Sequence, residues 1–365
     1  MQVAGEHYRS IWLDDATGDL RIIDQTLLPH QFETRRIADV SEAAEAIRTM
    51  RVRGAPLIGA MAAHGLALAL EHDPSDESLA CAAQELLATR PTAINLSWAV
   101  DRVVEAVTGL SPDERAEGAL VEARAICDED VASCSAIGDH GLVILKEIAS
   151  SKTDAPVQIL THCNAGWLAT VDWGTALAPI YKAHAAGLPV HVWVGETRPR
   201  NQGAGLTAFE LREYGVPHTV IVDNAAGHLM QRGLVDCVMV GSDRTTAAGD
   251  VCNKIGTYPK ALAAQANGVP FYVALPVSSI DWSIEDGLAE IPIEEREPRE
   301  VRELTGLDDS GELATVSLFP ESSPVANPAF DVTPARYVTA LLTEYGPCKA
   351  DRDSLAELRG RLANA

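Results

Sequence analysis

The chain has 365 residues, 47% of them hydrophobic and 22% charged, with 52 Asp and Glu against 29 Lys and Arg for a formal charge of -23. Such a composition excludes disordered, collagenous and disulfide-scaffold classes, and the excess of acid excludes a sequence-independent grip on nucleic acid or on an anionic membrane surface. The length points to about two domains with a sizeable core.

The first apolar runs, at 8–13 and 20–28, flank a polar stretch at 14–19 and predict a small hairpin. From Ser41, a candidate cap, the pattern turns helical across 42–50 and 60–71, and further helices are expected at 76–88, 95–108 and 112–150. Residues 1–150 are therefore expected to form a mainly helical N-terminal domain with a short β element. The polar stretch at 151–156 marks the boundary. Beyond it, short runs rich in Val and Ile at 157–161, 190–194, 219–222, 237–240 and 271–275 alternate with helical stretches at 168–186, 206–214, 226–232 and 254–266. That alternation predicts a Rossmann-like parallel-sheet domain over 151–365, and an α/β fold class for the whole chain.

Seven cysteines, an odd number without a C-x-x-C pair, argue against a disulfide framework and a structural zinc site and suggest a reducing compartment. The first residues lack the basic and apolar pattern of an export signal, and no apolar stretch approaches the length of a membrane span. A cytoplasmic protein is the expectation.

In a doubly wound sheet ligands sit beyond the carboxyl ends of the strands, so those turns hold the candidate chemistry. The first is Thr161-His162-Cys163-Asn164-Ala165-Gly166. A strand-to-helix turn there would lower the pKa of the Cys163 thiol through backbone N–H groups and the helix dipole. His162, its neighbour in an extended segment, faces the opposite side and makes no dyad with it. The turn after 237–240, Gly241-Ser242-Asp243-Arg244, sets Asp243 where a carboxylate can face Cys163. Lys254, expected on the following helix, and the basic turns Arg51-Val52-Arg53-Gly54-Ala55-Pro56 and Arg90-Pro91-Thr92 add local positive charge. Together they suggest a site for a small phosphorylated metabolite. A rival reading takes Gly203-Ala204-Gly205-Leu206-Thr207-Ala208, with Asp223 twenty residues on, as a dinucleotide fingerprint. It fails because about seven residues separate the preceding strand from the first glycine.

Taken in order, RGAP at 53–56, RPTAINL at 90–96, THCNAG at 161–166, ETRPRNQGAGLTAFEL at 196–211, DNAAGHLM at 223–230, GSDR at 241–244, GDVCNKIGTY at 249–258, IPIEERE at 291–297 and NPAFDVTP at 327–334 closely resemble the S-methyl-5-thioribose-1-phosphate isomerase family. That family is related to the regulatory subunits of a translation-initiation exchange factor. The resemblance implies Cys163 and Asp243 as the catalytic pair, and Arg53, Gly54, Ala55, Arg90, Gln202, Asn253 and Lys254 as substrate contacts. It also implies a phosphorylated sugar substrate, a homodimer, and no cofactor or metal. The chain departs from the family pattern at Gly195, Asn201, Gly205 and Ser242. These departures bear on the 5-substituent, with a 5-deoxyribose 1-phosphate as an alternative substrate and a non-catalytic regulatory subunit as an alternative role.

An aldose 1-phosphate cannot open to a free aldehyde, because C1 carries the ester. Another path is needed: Asp243 protonates the ring oxygen and Cys163 carries a proton from C2 to C1, with a hydride shift from C2 to C1 as the alternative. Asp243 must then be protonated near neutral pH, which requires burial.

Overall fold

The computed structural model describes residues 1–90, 94–153 and 155–363. The opening hairpin pairs Ile11–Leu13 with Leu20–Ile23, and the Asp14 carboxylate accepts the backbone N–H groups of Ala16 and Thr17 to close its turn. A third strand, Thr34–Ile37, completes this antiparallel sheet. Its Arg35 and Arg36 are exposed, so no apolar run announced it.

Five helices follow: α1 (Val40–Arg48), α2 (Ala55–His72), α3 (Asp76–Leu87), α4 (Ile94–Val107) and α5 (Pro112–Ser150). The cap of α1 is Asp39, whose side chain accepts the N–H of Glu42, rather than the expected Ser41. Helix α2 is apolar on nearly every face and forms the centre of the first core, packed by α1, α4 and the N-terminal part of α5. Helix α5 begins with a capping box, the Ser111 and Glu114 side chains each meeting the other's backbone. Its Ala119, Ala123 and Ile126 belong to the first core, whereas Ile137 and Leu145 lie in the core beneath the large sheet.

That sheet has seven strands in the order Gly346–Cys348, Ala340–Thr343, Phe271–Ala274, Cys237–Val240, Val157–Thr161, Val190–Gly195 and His218–Ile221. All neighbours run parallel except the antiparallel Gly346–Cys348 edge. Chain order runs outward in both directions from the adjacent pair Val157–Thr161 and Cys237–Val240, which makes their carboxyl ends the topological switch point. Cys163 follows the first and Asp243 the second.

Two expected elements differ. The segment 168–186 holds only a short helix, Ala178–Ala185, because residues 170–177 form a loop pinned by the Thr170 hydroxyl and the Asp172 carboxylate. Asn253 and Lys254 end a strand, Val251–Lys254, which pairs with Arg244–Thr246 and Phe330–Thr333, and the helix begins only at Thr257. Asp243 accordingly leads into a β-hairpin instead of capping a helix.

Candidate active site

The turn that carries Cys163 is held from several sides. Cys163 has a left-handed backbone, φ +63°, as does Thr197, φ +67°. That conformation costs a non-glycine residue about 1 kcal/mol and persists where surrounding contacts fix it. Here the Cys163 N–H donates to Thr197 Oγ1 at 2.8 Å, and the Thr207 hydroxyl donates to the Cys163 carbonyl at 2.8 Å. Behind the turn the buried Glu210 carboxylate accepts from Asn164 Nδ2 at 2.8 Å, the Trp167 N–H at 2.9 Å, the Leu168 N–H at 3.1 Å and the Tyr181 hydroxyl at 2.6 Å. A Cβ on Gly166 would lie 1.8 Å from Glu210 Oε2, so this approach requires glycine. His162 turns away from the thiol: its Nε2 lies 2.8 Å from the Ile255 carbonyl and its Nδ1 3.3 Å from Thr197 Oγ1. Burial, with Lys260 nearby, lowers its pKa to about 3.

The electrostatics of Cys163 reverse the sequence expectation. No long helix starts after it; only a single turn, Trp167–Ala169, follows. Burial, joined by Asp243, pushes the thiol above its ordinary pKa despite Arg53 and Lys254 close by. The resting group is therefore a neutral thiol. Burial likewise raises the Asp243 carboxyl, with Glu294 adding to it and Arg53, Arg90 and Lys254 opposing it. Lys254, buried, is shifted down by desolvation, while Cys163, Glu300 and Asp243 resist that fall.

The helical half supplies the remaining walls. Gly54, φ +91°, caps α2, and a Cβ there would meet the Ala169 carbonyl oxygen at 2.3 Å. No side chain caps the start of the 18-residue α2, where the helix dipole favours an anion. Arg53 is fixed by a fork onto Asn164, at 2.5 Å to Oδ1 and 2.7 Å to the carbonyl. Arg90 Nε donates to Glu294 Oε1 at 3.1 Å. Residues 91–93 of the Arg90 turn lie outside the described residues.

Cys163, Asp243, Arg53, Gly54, Arg90, Gln202 and Lys254 line one cavity. Of the residues singled out from the sequence, Ala55 and Asn253 do not reach its wall. Ala55 is the first residue of α2, and Asn253 Nδ2 donates to Thr257 Oγ1 at 2.9 Å. Met50, Ile58, Arg296, Ala329 and Phe330, which sequence reasoning missed as site residues, complete the lining. Arg296 is held by Glu300 at 2.7 Å; although burial works the other way, Arg296 and Arg200 bring the Glu300 pKa down to about 2. Such a cavity can hold a phosphate among cations and present a thiol and a carboxyl of raised pKa to the carbons beside it. Asp223 of the rival fingerprint is engaged by the turn after the neighbouring strand, accepting from the N–H groups of Thr197 and Arg198 at 2.9 and 2.8 Å.

The model of the Initiation factor 2 subunit family matches residues 51–350. A methylthioribose-1-phosphate isomerase of Rhodospirillum rubrum is 61% identical over 363 residues, covering 98% of this chain and 93% of the relative. Among solved structures, a 5-methylthioribose 1-phosphate isomerase from Pyrococcus horikoshii superposes with a TM-score of 0.81 at 40% identity, covering 97% of this chain and 96% of the other. The eIF-2B delta subunit from A. fulgidus superposes with a TM-score of 0.77 at 39% identity, covering 96% of this chain and all of the other (100%).

Proposed function

The chain belongs to the Initiation factor 2 subunit family, and we propose that within it this protein is a cytoplasmic, homodimeric aldose–ketose isomerase that converts 5-methylthioribose 1-phosphate to 5-methylthioribulose 1-phosphate in methionine salvage. One observation carries this reading: a thiol and a carboxyl, both driven toward their neutral forms by burial, share a cavity with Arg53, Arg90 and Lys254. A regulatory subunit that only sensed a ligand would have no need of such a pair.

The phosphate sits among Arg53, Arg90 and Lys254. Asp243, protonated, gives its proton to the ring oxygen as the C1–O bond breaks, and the ring opens with positive charge at C1. Two routes then lead to the ketose. In the first, Cys163 as thiolate takes the C2 proton to give the enol and returns it to C1, and the C2 hydroxyl proton passes to the Asp243 carboxylate as the carbonyl forms. In the second, hydride moves from C2 to C1, and the C2 hydroxyl proton passes to the Asp243 carboxylate as the carbonyl forms; one C–H bond breaks, one forms, and the acid is regenerated. The raised thiol pKa favours the second route, because a neutral thiol is no base and an incoming phosphate dianion keeps it protonated.

Incubation with 5-methylthioribose 1-phosphate should yield the ketose phosphate, and a deuterium placed at C2 should be recovered at C1. No ketose phosphate would overturn the isomerase reading. Washout of the label into solvent would return Cys163 to the role of proton carrier.

A further inference from the structure

A second compartment adjoins the catalytic cavity and shares Met50, Arg53 and Gln202 with it. Its polar lining is short of partners. Gln25 Oε1, Asn201 Oδ1 and Gln202 Oε1 are all buried without a hydrogen bond among the described residues. A buried carbonyl left in that state costs about 1–3 kcal/mol unless a ligand or water satisfies it. Gln25, 4% exposed, has its amide orientation fixed, because Nε2 donates to the Leu168 carbonyl at 2.7 Å, which leaves Oε1 as the orphaned atom of a residue that lines the compartment.

Donors on the same walls are already engaged. Arg53 gives one N–H from each terminal nitrogen to Asn164, and Arg200 is paired with Glu300 at 3.1 Å. The three orphaned carbonyls fit the compartment to a ligand that brings hydrogen-bond donors. Gly205 leaves space there: a Cβ would meet nothing nearer than Pro29 Cδ at 3.6 Å. Leu28 and Leu206 supply an apolar wall.

We propose that Gln25 Oε1 and Asn201 Oδ1 accept hydrogen bonds from the sugar oxygens beyond C2, making these two residues the determinants of a hydroxylated carbon chain. The inference rests on the isomerase reading for the identity of the sugar. With the phosphate among the cations and C1 and C2 beside Cys163 and Asp243, the part of the sugar left for this compartment is C3 to C5. A methylthio group has no donor and lies against the leucines. The 3-hydroxyl is a donor from the outset, and the ring oxygen becomes a second donor once the ring has opened. Two acceptors thus meet two donors, the second only after the first chemical step, which is the pattern that stabilises a reacting species over the bound substrate.

The test uses ligands that cannot react. 5-Methylthio-2-deoxyribose 1-phosphate has no C2 hydroxyl to become a ketone, and its 2,3-dideoxy counterpart lacks the 3-hydroxyl as well. Titration calorimetry should show the wild-type protein preferring the first by roughly 10- to 100-fold. The 3-hydroxyl donates once, so one of Gln25→Met and Asn201→Gly should lower that preference, and the double variant should bring it near unity. Glycine suits position 201, where φ is +56°, so Asn201→Gly remains informative even if Gln25→Met disturbs folding. Equal wild-type affinities, or a double variant that keeps the full preference, would overturn the assignment. Absence of turnover with the full substrate while the preference survives would remove the isomerase reading and leave the acceptor pair standing.

Discussion

The two halves of the molecule face one cavity with opposite chemistry. From the sheet come Cys163 and Asp243, groups that burial drives toward neutrality. From the helical half come Arg53 and Arg90, cations held in place by Asn164 and Glu294 respectively. Ionising a buried group is costly, whereas a guanidinium with a fixed partner keeps its charge and its direction. The helical half thus adds fixed charge to a cavity whose thiol and carboxyl come from the sheet half, which also supplies Lys254.

The strongest way to break this division is Asp243→Asn, which keeps the shape and removes the proton. Turnover should fall by on the order of 10²–10⁴-fold with the circular dichroism spectrum unchanged. The wild-type pH profile sharpens the same point. Asp243 acts as an acid and its folded pKa is raised, so the rate should fall as pH rises through that value, and the Asn variant should lack this limb. A rate that climbs through the same range would assign the proton donor elsewhere.

On the helical side, Arg53→Lys keeps the charge but loses the two-pronged hold on Asn164. KM should rise about 10-fold while kcat changes less, and an effect confined to kcat would place Arg53 in the chemistry instead of the grip. The smallest effect is expected where the halves join. Asp130 of α5 accepts the Val171 N–H at 2.7 Å, and burial raises its pKa to about 7 from an ordinary 3.8. Its protonated form is favoured by folding, so the stability it contributes is full below about pH 4 and is lost as pH climbs through 7. Asp130→Asn does not titrate, so the wild-type melting temperature should fall by about 1–3 °C relative to the variant across that window. A constant gap would mean that the carboxyl does not change protonation there.

Much of this arrangement was legible in the sequence. Cys163 and Asp243 stand directly after short apolar runs, and topology alone carries such positions to the mouth of a parallel sheet. Arg53 was visible because a basic pair ran into Gly54 and Pro56 at a helix start. Gln25 and Arg296 were not, since both reach the site from irregular segments whose placement depends on tertiary packing. Glu210 was hidden for a different reason: it reads as an ordinary helical charge, and only the Cys163 turn folded over it shows four donors converging on its carboxylate. The thiol misled because the expected helix dipole was absent, leaving desolvation to decide its protonation.

Helix α5, 39 residues and about 58 Å long, contributes side chains to the core of each half. Neither half is then a detachable module. Dividing the gene at the start of the sheet would strip that sheet of its Ile137 and Leu145 cover, and dividing it within the helix would open both interiors at once. Recombination can therefore pass this scaffold on only whole, so relatives with new roles must arise by changing the cavity's lining and not by exchanging its halves.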